Sequence, residues 1–103
     1  MNNSFLVDTN QIKDLISNNS LIIDIRDELE FNKQHIKTSI NIPYNIFYLY
    51  KNKLNKIQPI YIICYYGQTS KELAAVLRKE GYIAYSFIGG FYALTHPISN
   101  TFF

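Results

Sequence analysis

The chain has 103 residues, 48% of them hydrophobic and 17% charged. That composition is globular and excludes a disordered polar tract. The formal net charge is +2, its lysines and two arginines (Arg26 and Arg78) are scattered, and so no basic stripe for nucleic acid is present.

This length predicts one domain over 1–103, large enough to fold around its own core without a metal or disulfide. The single cysteine, Cys64, excludes an internal disulfide and fits a reducing compartment. The first eight residues show no basic region followed by an apolar core, and no apolar run approaches the roughly 20 residues of a membrane span. The expected address is cytoplasmic, with neither a membrane nor a nucleic acid as partner.

The elements alternate along the chain. Leu6-Val7 reads as a short strand. Asp8 or Thr9 caps a first helix that carries Ile12, Leu15 and Ile16 at helical spacing. After the turn Asn18-Asn19-Ser20, the run Leu21-Ile22-Ile23-Asp24-Ile25 is near-continuously apolar, as in a strand covered on both faces. Asp27 and Glu30 have the spacing of a capping box and predict a helix from about Asp27 to Gln34. Ser39 to Ile42 reads as a strand stopped by Pro43.

Asn45 to Asn55 has helical periodicity, with Ile46, Leu49 and Leu54 on or near one face, until Gln58-Pro59 breaks it. Ile60 to Ile63 is a strand that ends in Cys64. Thr69 and Glu72 have capping-box spacing and predict the next helix, with Leu73, Ala74, Val76 and Leu77 buried and Gly81 past its end. Ala84 to Ile88 is a strand, Gly89-Gly90 a turn, and Phe91 to Leu94 opens a last helix. Strands and helices in alternation predict a parallel sheet of about five strands with helices on both faces.

The chemistry concentrates in Cys64-Tyr65-Tyr66-Gly67-Gln68-Thr69-Ser70. A thiol at the C-terminal edge of a strand faces the positive end of the following helix. Backbone N–H groups there favour the thiolate, the nucleophilic form. Gly67 permits a left-handed or closely approaching backbone. Thr69 is read mainly as a cap and secondarily as a ligand group, and Ser70 as a hydroxyl near the helix start. Two roles stay open for Gln68, donation to a bound anion or exposure to water. Two also stay open for Tyr65 and Tyr66, walls of the pocket or exposed aromatics. No Cys/His/Asp cluster has metal spacing, so neither metal nor cofactor is expected.

Three regions carry a family resemblance. The first is Leu21-Ile22-Ile23-Asp24-Ile25-Arg26, followed by Glu30-Phe31, His35-Ile36 and Ser39-Ile40-Asn41-Ile42-Pro43. The second is Ile62-Ile63-Cys64 with its loop. The third is Gly81-Tyr82 and then Ile88-Gly89-Gly90-Phe91. In order and spacing they resemble the rhodanese-like domain family over nearly the whole chain. The resemblance implies a three-layer α/β fold, with Arg26 at a strand end paired to a carboxylate such as Glu30, and His35 tying down a turn. His96-Pro97 would terminate the last helix.

It also implies sulfur transfer through a Cys64 persulfide, with Tyr65 to Ser70 around the substrate. The donor would be thiosulfate, a low-molecular-weight persulfide or a persulfidated protein, and the acceptor a thiol or cyanide. Gln34-His35 and Thr38-Ser39 stand where the family has Gly-His and Gly-Ala. Tyr65 and Thr69 stand where members active on thiosulfate often carry arginine, which implies weak use of thiosulfate. The competing reading is a catalytically weak binding or regulatory module on the same fold. A phosphatase or arsenate reductase needs an arginine at the end of the loop, where this chain has Ser70.

Overall fold

A computed structural model describes residues 4–95. Five short strands, β1 (Leu6–Val7), β2 (Leu21–Asp24), β3 (Ile40–Asn41), β4 (Ile60–Ile63) and β5 (Ala84–Phe87), form one sheet in the order β1-β5-β4-β2-β3. Every pairing is parallel. The central strands β2 and β4 are the most continuous apolar runs, because helices cover them on both sides. Their register sets Asp24 opposite Ile63, and Ile25 N–H donates to the Ile63 carbonyl at 2.9 Å. The chain therefore leaves β2 and β4 side by side, with Arg26 and Cys64 at the same sheet edge.

Side chains alternate between two cores. On one face Ile23, Ile25, Ile60, Ile62, Cys64 and Ala84 pack with Phe47 of α3 (Phe47–Tyr50) and with Ala74 and Leu77 of α4 (Gln68–Lys79). On the other, Ile22, Ile63 and Phe87 pack with Ile12 and Leu15 of α1 (Ile12–Ser17) and with Phe91 and Leu94 of α5 (Gly90–Thr95). This is the expected three-layer α/β architecture. The expected end of the last helix at His96-Pro97 lies outside the described residues.

Several helix ends follow the local chemistry. Of the two candidates at the first helix, Asp8 is the cap: its carboxylate accepts from Asn10 N–H before a 3-10 turn leads into α1. Asp27 accepts from Glu30 N–H at 2.9 Å and caps α2 (Glu28–Lys33). Helix α4 ends in a Schellman motif, with Gly81 at φ +97, its N–H on the Arg78 carbonyl and Tyr82 N–H on the Leu77 carbonyl.

Two expectations are corrected here. The segment Asn45 to Asn55 is not one helix but a 3-10 turn, the single α-turn α3 and another 3-10 turn. Its anchor is Phe47, buried at 3% exposure, while Leu49 is 58% exposed. One deep anchor does not hold a long helix. Both ends are also tied from outside, Tyr44 N–H to the Ile25 carbonyl and the Tyr82 hydroxyl to the Lys51 carbonyl. In α4 the fully buried positions are Ser70, Ala74 and Leu77, spaced i, i+4 and i+7, so Leu73 is half-buried and Val76 faces out.

Candidate active site

Cys64 follows β4 directly and is buried, with 6% of its surface exposed. Its sulfur accepts two backbone hydrogen bonds, from Gly67 N–H at 3.1 Å and from Ser70 N–H at 3.3 Å. The Ser70 hydroxyl lies 3.3 Å from the same sulfur. These donors sit at the start of α4, a twelve-residue helix whose N-terminus is the positive end of its dipole. Charge developing on sulfur at this place meets fixed N–H dipoles and needs no rearrangement of solvent.

Two glycine contacts fold the loop onto its sulfur. Gly67 lies at φ +97, and a Cβ there would come within 2.9 Å of Gly89 N. Gly90 lies at φ +61, and a Cβ there would sit 2.5 Å from the Cys64 carbonyl oxygen and 2.7 Å from Gly67 N. That close approach lets Phe91 N–H and Tyr92 N–H donate to the carbonyls of Cys64 and Tyr65, at 2.9 and 2.8 Å. The start of α5 thus clamps the cysteine loop from below. The sequence signals this only as two adjacent glycines, which read as a turn.

A cleft of about 600 Å³ opens above Cys64. Tyr65 and Thr69 line it from the loop, Ile25, Arg26, Asp27 and Glu30 from the end of β2 and the start of α2, and Tyr44 from the segment before α3. Arg26 is committed elsewhere: its Nε bonds both Asp24 oxygens at 3.1 Å, and its Nη2 donates to Asp24 Oδ2 and the Gln34 carbonyl. Its guanidinium also lies 3.7 Å over the Phe91 ring. The expected partner Glu30 instead meets Lys33 at 3.2 Å. Asp24 prevails because it is wholly buried beside Arg26, where an unpaired charge would be costly.

Residues 8–96 match the sequence profile of the Rhodanese-like domain family. The chain belongs to this family. Among curated relatives, the thiosulfate sulfurtransferase GlpE of Coxiella burnetii is 31% identical over 83 residues, 78% of either chain. Two solved structures share the rhodanese-like arrangement. A Staphylococcus saprophyticus protein aligns with a TM-score of 0.78 at 27% identity, over 84% of this chain and 89% of its own. Reduced Bacillus anthracis CoADR-RHD aligns with a TM-score of 0.77 at 30% identity, over 84% of this chain and 15% of that much longer one.

Within the rhodanese-like loop the singled-out residues separate into three groups. Gly67 and Ser70 touch the sulfur through their N–H groups. Tyr65 and Thr69 line the cleft. Tyr66 and Gln68 do not line it. Tyr66 is 65% exposed and packs against Tyr65 and Tyr92, with centroids 4.6 and 5.5 Å apart. Gln68 donates to the Glu72 carboxylate at 2.8 Å. The expected Thr69–Glu72 capping box does not form, because α4 begins at Gln68 and its cap position is the left-handed Gly67. Thr69 already lies inside the first turn and is free to face the cleft. His35 has the expected turn-holding place, with Nδ1 2.7 Å from the Phe31 carbonyl and its ring stacked on Phe31.

Proposed function

We propose that this protein is a sulfurtransferase or persulfide carrier that moves a sulfane sulfur through Cys64. The thiolate attacks the sulfane sulfur of a donor. A new S–S bond forms, and the donor's own bond to that sulfur breaks. Sulfite leaves with the electron pair if the donor is thiosulfate, and a thiolate leaves if it is a persulfide. A thiol or cyanide then attacks the outer sulfur, and Cys64 departs as thiolate. The single observation that carries this reading is the Cys64 sulfur at the floor of an open cleft with Gly67 and Ser70 N–H groups aimed at it. The same two donors favour sulfur as attacking thiolate and as leaving group, so one cradle serves both halves of the cycle.

The curated relative's name makes thiosulfate a candidate donor. The cleft lining favours a less charged one. Among the described residues its one cation, Arg26, is held by Asp24, while Asp27 and Glu30 add negative charge at the rim. A low-molecular-weight persulfide or a persulfidated protein meets less repulsion there than a dianion does.

Intact-mass spectrometry tests the reading. The reduced protein is exposed to thiosulfate and, separately, to glutathione persulfide, with Cys64→Ser as control. The expected result is the gain of one sulfur atom on the native protein only, faster from the persulfide and removed by a thiol. No gain from either donor overturns carriage of sulfur from small donors and favours a binding or regulatory module.

A further inference from the structure

Behind the cysteine cradle lies a second hydroxyl that the cycle above does not use. Ser86 of β5 is fully buried, and its Oγ is 2.7 Å from Ser70 Oγ. Among the described residues Ser86 Oγ makes no other hydrogen bond, whereas Ser70 Oγ also reaches Cys64 Sγ and the Gly67 carbonyl, each at 3.3 Å. From this geometry we infer that Ser86 is a positioning residue for the Cys64 sulfur, acting through the Ser70 hydroxyl. The inference takes Cys64 as the reacting atom, as proposed above.

The proton count gives the relay its direction. While Cys64 is a thiol, its S–H donates to Ser70 Oγ, and the Ser70 proton rests on the Gly67 carbonyl. Among the described residues Ser70 Oγ is the one acceptor within reach of Ser86 Oγ, so Ser86 donates. When Cys64 ionises, the sulfur loses its own proton and accepts from the Ser70 hydroxyl as well as from the two backbone N–H groups. The Ser70 proton then swings from the Gly67 carbonyl to the sulfur. The carbonyl is not orphaned, because Lys71 N–H already donates to it at 3.1 Å. Ser86 goes on donating to Ser70 Oγ. It fixes the rotor and polarises the hydroxyl that now faces a negative sulfur.

The alternative role for Ser86 is that of a small residue under a helix. Ala84, two positions back on the same strand face, is also fully buried and packs in the same core without a hydroxyl. Size alone therefore does not demand serine. The titratable groups around the sulfur, Arg26, Asp27, Glu30, Tyr44 and Tyr65, all line the open cleft, and Ser86 lines none of it. A change at Ser86 reaches the sulfur from the closed side and leaves that rim intact.

Iodoacetamide alkylation of Cys64, followed across pH, tests this without any sulfur donor. Ser86→Ala is expected to slow alkylation at neutral pH about fivefold, the worth of one net hydrogen bond, and to move the rise of the profile to higher pH. In a Ser70→Ala background it is expected to have no further effect, since the connecting hydroxyl is gone. Ser86→Thr and Ser86→Val share one shape, so they share any packing penalty. The threonine variant is expected to react faster than the valine variant.

Overlapping profiles for Ser86→Ala and the native protein overturn the relay. So do equal rates for the threonine and valine variants, or a full Ser86→Ala effect when Ser70 is already alanine. Because the readout is alkylation, a protein that never forms a persulfide but shows this coupling refutes the sulfur-transfer reading and leaves the relay standing.

Discussion

Thr38 sits in the turn from Ile36 to Ser39, closed by Ser39 N–H on the Ile36 carbonyl at 3.0 Å, and its φ is +69. A β-branched residue is disfavoured there, because its Cβ crowds the backbone. The family resemblance sets Thr38 at a place where its pattern has glycine. Thr38→Gly is therefore expected to stabilise the protein by about 1 kcal/mol, read as a higher urea midpoint with an unchanged m-value. The buried pair Asp24–Arg26 makes the opposite case. Asp24→Asn leaves the guanidinium without its countercharge and is expected to cost about 3 kcal/mol. The exposed Lys33–Glu30 pair contributes less than about 1 kcal/mol, so Lys33→Met is expected to leave the midpoint nearly unchanged. The family resemblance offered a carboxylate such as Glu30 as the partner of Arg26. It carried no information that Asp24 and Arg26, two residues apart at a strand end, fold back onto each other.

At the scale of elements, strands and the helix around the cysteine were legible because their apolar periods are strong. The segment from Asn45 to Asn55 was not, since its aromatic and aliphatic residues fit a helical face that the core does not use. The capping box at Thr69 failed for a related reason. A left-handed glycine at the cap position starts α4 two residues before Ser70, and the tertiary contact with Gly89 and Gly90, invisible in the sequence, leaves no room for a Cβ there. This clamp has a measurable consequence. Gly90→Ala places a methyl group against the Cys64 carbonyl and Gly67 N, both backbone atoms of the reactive loop. The strain is of order 1–3 kcal/mol, and relief requires the loop to move off α5. The expected outcome is a lower melting temperature together with slower alkylation of Cys64. A variant that melts lower but alkylates at the native rate shows that the clamp stabilises the fold without shaping the cradle.

For the whole molecule, the parallel order β1-β5-β4-β2-β3 brings residues from distant parts of the sequence to one edge, and the same sheet links global stability to pH. Tyr61 of β4 stacks on Tyr85 of β5, with centroids 5.0 Å apart. Burial raises its pKa above the ordinary 10.0, and the neighbouring Tyr85 adds to the rise. Below pH 10 both the folded and the unfolded chain keep this phenol protonated, and stability does not depend on it. As pH rises through 10.0, the unfolded chain releases the proton while the folded chain retains it. Ionisation then favours unfolding, and stability falls until the folded phenol also titrates. The informative quantity is a difference between two proteins that differ only at this phenol. Urea midpoints between pH 8 and about pH 11 are expected to fall less steeply for Tyr61→Phe than for the native protein. Phenylalanine retains the stacking ring and removes only the ionisable oxygen. Equal slopes would show that the folded protein lets this phenol ionise as readily as the unfolded chain does, and that neither burial nor the stacked Tyr85 ring holds its proton.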